Sequence, residues 1–342
     1  MKARYLVTAA LSAALAGCGG GGSGGSGAPV APIAAPPVIV PQSAILPISF
    51  VIPNRTVSAS SSQRAPRYVS PGTASVAVYD GATLIYVGNY SQATQFTTVY
   101  GKTGATMVTS GTCVAGTSSQ TCTLTITTTI GAHAFDVITY PVSQGQSQAT
   151  SVARTPSDVG TIPTFAGVIL SEGELSVTLS PGNNPGQTIT LLGVADRANF
   201  TGPVLTQHLN GNGPLVGIIG TSYTFQYSIN DSSNAVAGGY QIVQPGNYDN
   251  GPVTIAETDG GSIVTMTAIS QSTPPAAAGA QSFSVTCQNN GTATITASAQ
   301  NKPNATYASG LTYSASNYPT ATIGTTTLQC VPNSATLPVT VQ

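Results

Sequence analysis

Apolar and polar residues alternate along most of this chain. In SVAVYD (75–80), TLTITTTI (123–130), AFDVITY (134–140), LSVTLS (175–180), TITLLGV (188–194), YTFQYSI (223–229), PVTIAE (252–257), IVTMTAI (263–269), FSVTC (283–287), ATITASA (293–299) and LPVTV (337–341), apolar residues recur at every second position between small or hydroxyl-bearing ones. Successive side chains of a strand point to opposite faces, so this period predicts strands with one face in a core and the other in water. Their richness in Val, Ile, Thr and Tyr agrees. Clusters of turn residues (SPGT, DGAT, PGNNPG, NDSSN, PGNYDNG, TDGG, QNNG) punctuate the runs. No stretch carries a helical period; the nearest, STPPAAAGA, holds two prolines. The pattern predicts an all-β protein of antiparallel sheets packed face to face as sandwiches.

About 280 residues follow position 63, too many for one sandwich of roughly 100–120 residues and suited to two. The first is expected over 64–198, with Val142 to Pro163 as a long loop or insertion. Residues 199–220 read as a connector, and 221–342 as the second sandwich, closing on LPVTVQ, where Pro338 hints at a sheet edge.

The first 63 residues break the pattern. Lys2 and Arg4 precede an apolar run from Tyr5 to Leu15, which is well short of the ~20 residues of a membrane-spanning helix and reads as an export leader. The tetrapeptide Leu15-Ala16-Gly17-Cys18 resembles the lipobox of bacterial lipoproteins. That resemblance implies cleavage after residue 17 and a lipid on Cys18, which anchors the chain to a membrane. Gly19 to Gly27 contains only glycine and serine, and Pro29, Pro32, Pro36, Pro37, Pro41 and Pro47 follow. Such composition favours a disordered coil and then extended chain, so 18–63 is expected to be a Gly/Ser- and Pro-rich stalk.

Composition limits the partners. Charged residues make up 6% of the chain and hydrophobic ones 41%, the reverse of a disordered chain. Without Lys2 and Arg4, seven Lys and Arg face ten Asp and Glu, about −3 overall. No basic surface for nucleic acid is expected. With Cys18 assigned to lipid, Cys113, Cys122, Cys287 and Cys330 remain to pair in an oxidising compartment. Three pairings are possible; Cys113–Cys122 and Cys287–Cys330 keep each bridge inside one expected sandwich. Zinc would call for close cysteine spacing or nearby histidines, and neither is present.

PRYVSPGTASVAVY, TCTLTITTTIGAHAFDVITY and LSVTLSPGNNPGQTITLLGV are similar to modules of uncharacterised bacterial surface proteins built from Ig-like domains. The matching positions here are Ser70, Pro71, Cys113, Cys122, Phe135, Val137, Thr139 and Tyr140. The resemblance implies Ig-like sandwiches and no particular activity. The chain has no Trp, and its first sandwich lacks the cysteine pair that immunoglobulins place on strands B and F.

Candidate chemistry is sparse. His133 and His208 are the two histidines, and Asp136, three residues beyond His133, falls on the opposite strand face, so no relay is expected there. Outside the Gly/Ser run of residues 19–27, no GxSxG motif occurs. Glu172 and Glu174 share a strand face and would suit glycosidase chemistry only if sunk in a cleft. Asp231, Asp249, Glu257 and Asp259 are candidate calcium ligands in loops, without an EF-hand spacing. Tyr223, Tyr227, Tyr240, Tyr248, Tyr307, Tyr313 and Tyr318 are candidate contact residues, or ordinary strand tyrosines. The expectation is a non-catalytic, lipid-anchored module of the cell envelope, on the outer membrane or cell surface, with no cofactor and with a glycan or protein as ligand. A carbohydrate-binding or calcium-dependent adhesin and a cryptic hydrolase using Glu172 and Glu174 are the alternatives.

Overall fold

The computed structural model describes residues 42–54, 69–145, 168–299 and 321–341, apart from a few short internal stretches. Every regular element among them is a strand. The leader, Cys18, residues 19–41, Tyr307, Tyr313, Tyr318 and Pro338 lie outside the described residues. Pro41–Gln342 form one compact unit, which contains two pairs of sheets.

The first pair is built from β1 (Ser43–Pro53), β2 (Ser75–Asp80), β3 (Thr83–Ser91), β4 (Gln95–Gly101), β5 (Met107–Ala115), β6 (Ser119–Thr129), β7 (Gly131–Tyr140), β8 (Ser171–Leu179), β9 (Gly182–Asn183), β10 (Gln187–Thr188) and β11 (Leu192–Gly193). One sheet runs β10-β1-β6-β5, with β9 also on β1, and the other β11-β8-β7-β2-β3-β4. The order β8-β7-β2-β3-β4 matches strands G, F, C, C′ and C″ of a variable-type Ig sheet, and β1-β6-β5 matches B, E and D. The place of strand A is filled from the other end of the module: β9 and β10 pair parallel to β1.

This arrangement corrects the expected stalk. Residues 43–53 form a central strand, and Ala44, Leu46, Ile48, Phe50 and Ile52 all face the core at 0–1% exposure. The alternation was present in SAILPISFVIP, but the prolines masked it. Pro47 is tolerated because of where its missing N–H would point. Ile45 and Ser49 turn their carbonyls to Asn184 and Ile189, so Pro47 faces the same side, at the break between β9 and β10.

The second pair holds β12 (Arg197–Thr201), β14 (Val216–Ile218), β15 (Ser222–Asn230), β16 (Val253–Glu257), β17 (Val264–Thr265), β18 (Ile269–Gln271), β19 (Gln281–Cys287), β20 (Gly291–Ser298) and β21 (Thr322–Val331). Its sheets are β12-β15-β19-β17 and β14-β21-β20-β16-β18, the places of A-B-E-D and of G-F-C with additions. A short ladder joins β13 (Gln207–Leu209) to β22 (Val339–Val341). The expected connector, 199–220, is therefore not a separate piece. β14 and the end of β12 join the second pair, β13 pairs with β22, and Ala195 and Ala198, expected in the first sandwich, sit in the second core.

Each sheet pair encloses its own core. Phe50, Val76, Val78, Leu124, Ile126, Phe135 and Val137 meet in the first, with Phe96 packed edge-on against Phe50 and Tyr86. Phe225, Tyr227, Val285, Ile295 and Leu328 meet in the second. A further apolar layer, with Ala77, Tyr79, Ile138, Tyr140, Ile169 and Val194, lies on the other face of the β2/β7 sheet. That sheet is buried on both sides.

Candidate functional site: carboxylates on an outer sheet face

β7 and β8 run antiparallel with Asp136 directly opposite Glu174 and Ile138 opposite Glu172. Phe135 and Val137 point into the core between the sheets, so alternation sends Asp136 and both glutamates to the outer face. Their carboxylate oxygens lie within 4.8 Å of one another. The shared face of Glu172 and Glu174 was legible from their spacing. Asp136 joins them only through strand register, while Gly173, facing the other side, lets the 190–191 segment approach: a Cβ there would stand 2.1 Å from the carbonyl oxygen of Thr190.

Burial then divides the three. Asp136 and Glu172 are 0% and 1% exposed, while Glu174 meets solvent. Tyr79, opposite Asp136 on β2, and Tyr140 are buried in the same layer. Burial holds both phenols well above the ordinary tyrosine range; Tyr140 and Asp136 add to this at Tyr79, and Glu172 adds to it at Tyr140. Asp136, Glu172, Glu174 and Tyr140 each have further interactions within the chain. A retaining or inverting glycosidase must bring two carboxyl groups to its substrate. Here only Glu174 is presented to solvent.

His133 is placed on the opposite face from Asp136, as its spacing predicts, but it has an acidic partner that the local sequence hides. Its Nδ1 lies 2.9 and 3.0 Å from the carboxylate oxygens of Asp80, and its Nε2 lies 3.0 Å from the carbonyl oxygen of Thr129. Its ring stacks on Phe135. Asp80 pairs with Phe135 in the β2/β7 ladder, which brings together residues 53 apart. With both nitrogens engaged by acceptors, the imidazole ties a strand end together. Neither ring nitrogen is open to a substrate or metal.

The expected calcium ligands do not converge. Among the described residues, Asp136, Glu172 and Glu174 form the one group of three such side chains within reach of a common ion. Asp231 Oδ1 instead accepts the amide hydrogens of Ser233 and Tyr240, both at 2.9 Å, and so shapes its own loop. Glu257 accepts the amide of Asp259 at 2.9 Å. The Asp259 side chain and nearby amides hold Glu257 low, while burial and then Glu257 raise Asp259. The tyrosines of the second core are structural too. Tyr227 and Tyr248 are buried, and the Tyr223 hydroxyl accepts the amide hydrogen of Ile218.

Both expected disulfides are present. Cys113 and Cys122 face each other across the β5/β6 hairpin. Cys287 on β19 and Cys330 on β21 join the two sheets of the second sandwich, at the places of strands E and G rather than B and F. Two disulfides mark an oxidising, extracytoplasmic compartment. Among the described residues no helix is long and apolar enough to cross a membrane.

No protein-family model matches the chain, and no curated protein does. Among solved structures, a beta-glycosidase from Bacteroides vulgatus aligns over 74% of this chain and 23% of its own, at 8% identity and a TM-score of 0.21. Domains 4–9 of the surface layer protein SbsC align over 77% of this chain and 29% of theirs, at 12% identity and a TM-score of 0.20. The chain thus spans under a third of either neighbour's own length. Likenesses at these scores carry no argument about function.

Proposed function

We propose that the protein is a lipid-anchored, non-catalytic β-sandwich module of the cell envelope, structural or adhesive, held to its membrane through Cys18. The observation that carries the non-catalytic part is how the acid–base groups are used. Asp136 and Glu172 are buried within a sheet layer, and His133 is engaged at both ring nitrogens. What faces solvent instead is hydroxyl: Thr121, Thr123, Thr125, Thr127 and Thr129 line the outward face of β6, and Ser49 bonds Thr123 across the ladder at 2.8 Å. A pleated surface of that kind suits polar contact with a glycan or a protein.

The anchor rests on the lipobox-like LAGC and on the Gly/Ser run after it. Several acyl chains on one residue, at ~0.8 kcal/mol per buried methylene, hold a protein durably. Expression of Cys18→Ala followed by membrane fractionation tests it: the variant should appear in the soluble fraction. Retention in the membrane, or an intact mass without acyl groups on the wild type, would overturn the anchor. The acidic trio favours a second reading, cation-dependent adhesion, and glycan-array binding lost on chelation would select it. The hydrolase reading needs turnover that Glu172→Gln and Glu174→Gln abolish.

A further inference from the structure

The chain passes from one sandwich to the next without a linker. Val194 is 0% exposed in the apolar layer on the first sandwich, and the next residue, Ala195, is 0% exposed in the core of the second. Around this crossing, loops of the two sandwiches interlock. Gly72, in the Ser70–Thr73 turn before β2, lies so close to Ser233 that a Cβ on it would stand 1.9 Å from the Ser233 Oγ and 2.5 Å from its Cβ. The Ser232 hydroxyl donates to the Val168 carbonyl at 3.2 Å, and the Asp249 amide donates to the Gly193 carbonyl at 3.0 Å.

The polar groups at this seam are buried and bonded. Ser70, Thr73, Asp231 and Ser233 are 0% exposed. The Thr73 hydroxyl donates to the Ser70 carbonyl at 2.8 Å, and Asp231 holds the Ser233 amide. Asn250, 1% exposed, clamps the crossing itself by receiving the Ala195 amide and donating to the Ala195 carbonyl, each at 2.9 Å. Tandem domains generally move against each other unless their interface is extensive. Sliding one sandwich past the other would break the bonds from Ser232 to Val168 and from Asp249 to Gly193, which cross the seam, and leave those groups unsatisfied.

We infer that the seam formed by Gly72, Ser232, Ser233, Val194–Ala195 and Asp249–Asn250 locks the two sandwiches into one rigid body that melts as a single unit. The molecule then presents its two sandwiches at a fixed angle instead of as beads on a string.

Calorimetry of the full chain with both disulfides intact, together with amide hydrogen exchange, tests this. The wild type should show one thermal transition, and the amides of Ala195 and Asp249 should exchange as slowly as those of β6 and β20. Two transitions, or seam amides that exchange as quickly as exposed loops, would overturn the inference. Gly72→Val, which drives a side chain into Ser233, should split the transition in two and speed exchange at the seam while leaving β6 and β20 protected. A Gly72→Val profile identical to the wild type would also overturn it. Where that variant fails to fold, the wild-type measurements decide alone, and Ser232→Ala, which removes one crossing bond, should raise exchange at the seam by a smaller factor.

Discussion

Tyr79 shows how much a single buried hydroxyl governs. It is 1% exposed, and its oxygen has no hydrogen-bond partner among the described residues. Burial raises its proton affinity first, with Tyr140 and Asp136 behind it. The folded state therefore holds the phenolic proton more firmly than the unfolded chain does. Stability from this residue is intact below the ordinary tyrosine value of about 10 and is lost as pH rises above it, by roughly 1.4 kcal/mol per pH unit. Tyr79→Phe should flatten that decline by about this slope, and at pH 7 it should stay within ~1 kcal/mol of wild type because no bond is broken. Urea titrations between pH 7 and 11 check both parts; an unchanged alkaline slope would refute the assignment. His133 carries the matching lesson for legibility. Its distance from Asp136 could be read from strand alternation, whereas Asp80 was out of sight because nothing local specifies which strands become neighbours.

Among the elements, β1 departs most from expectation. Its residues alternate as cleanly as any in the chain, yet Pro47 and the Pro-rich approach to it suggested an extended tether. The strand survives because its proline faces the gap between β9 and β10, a fact of tertiary pairing. Phe50 is 1% exposed in the first core and packs against Phe96. Phe50→Ala should cost about 3–5 kcal/mol in denaturant unfolding; a tether residue would cost nothing. The strands that were legible, such as β2, β6, β7, β15, β19 and β20, owe it to long unbroken alternation. β14 and the last three residues of β12 were read as connector because they are short and flanked by glycine and proline.

At the scale of the whole molecule, the two disulfides do unequal work. Cys287–Cys330 closes a separation of 43 residues and ties sheet to sheet, whereas Cys113–Cys122 closes a separation of 9 within one hairpin. In the chain-entropy description these correspond to about 4 and about 2.6 kcal/mol. Replacing Cys287 and Cys330 by serine should therefore lower the unfolding free energy more than replacing Cys113 and Cys122, and equal or reversed losses would contradict that description. The seam between the sandwiches belongs to this scale too, since it is built from turns that read, one by one, as ordinary loop punctuation.

Period-two alternation, turn residues and four remaining cysteines were enough to determine an all-β, disulfide-bonded chain, because strand facing and oxidative pairing depend on local spacing and composition. Only the tertiary structure decided which strands lie side by side. That choice made a central strand of the expected tether, brought Asp136 to Glu172 and Glu174, gave His133 its aspartate, and fused two cores without a linker. Each of these depends on contacts between residues distant in the chain, and such contacts form only when the sheets close over a shared apolar interior.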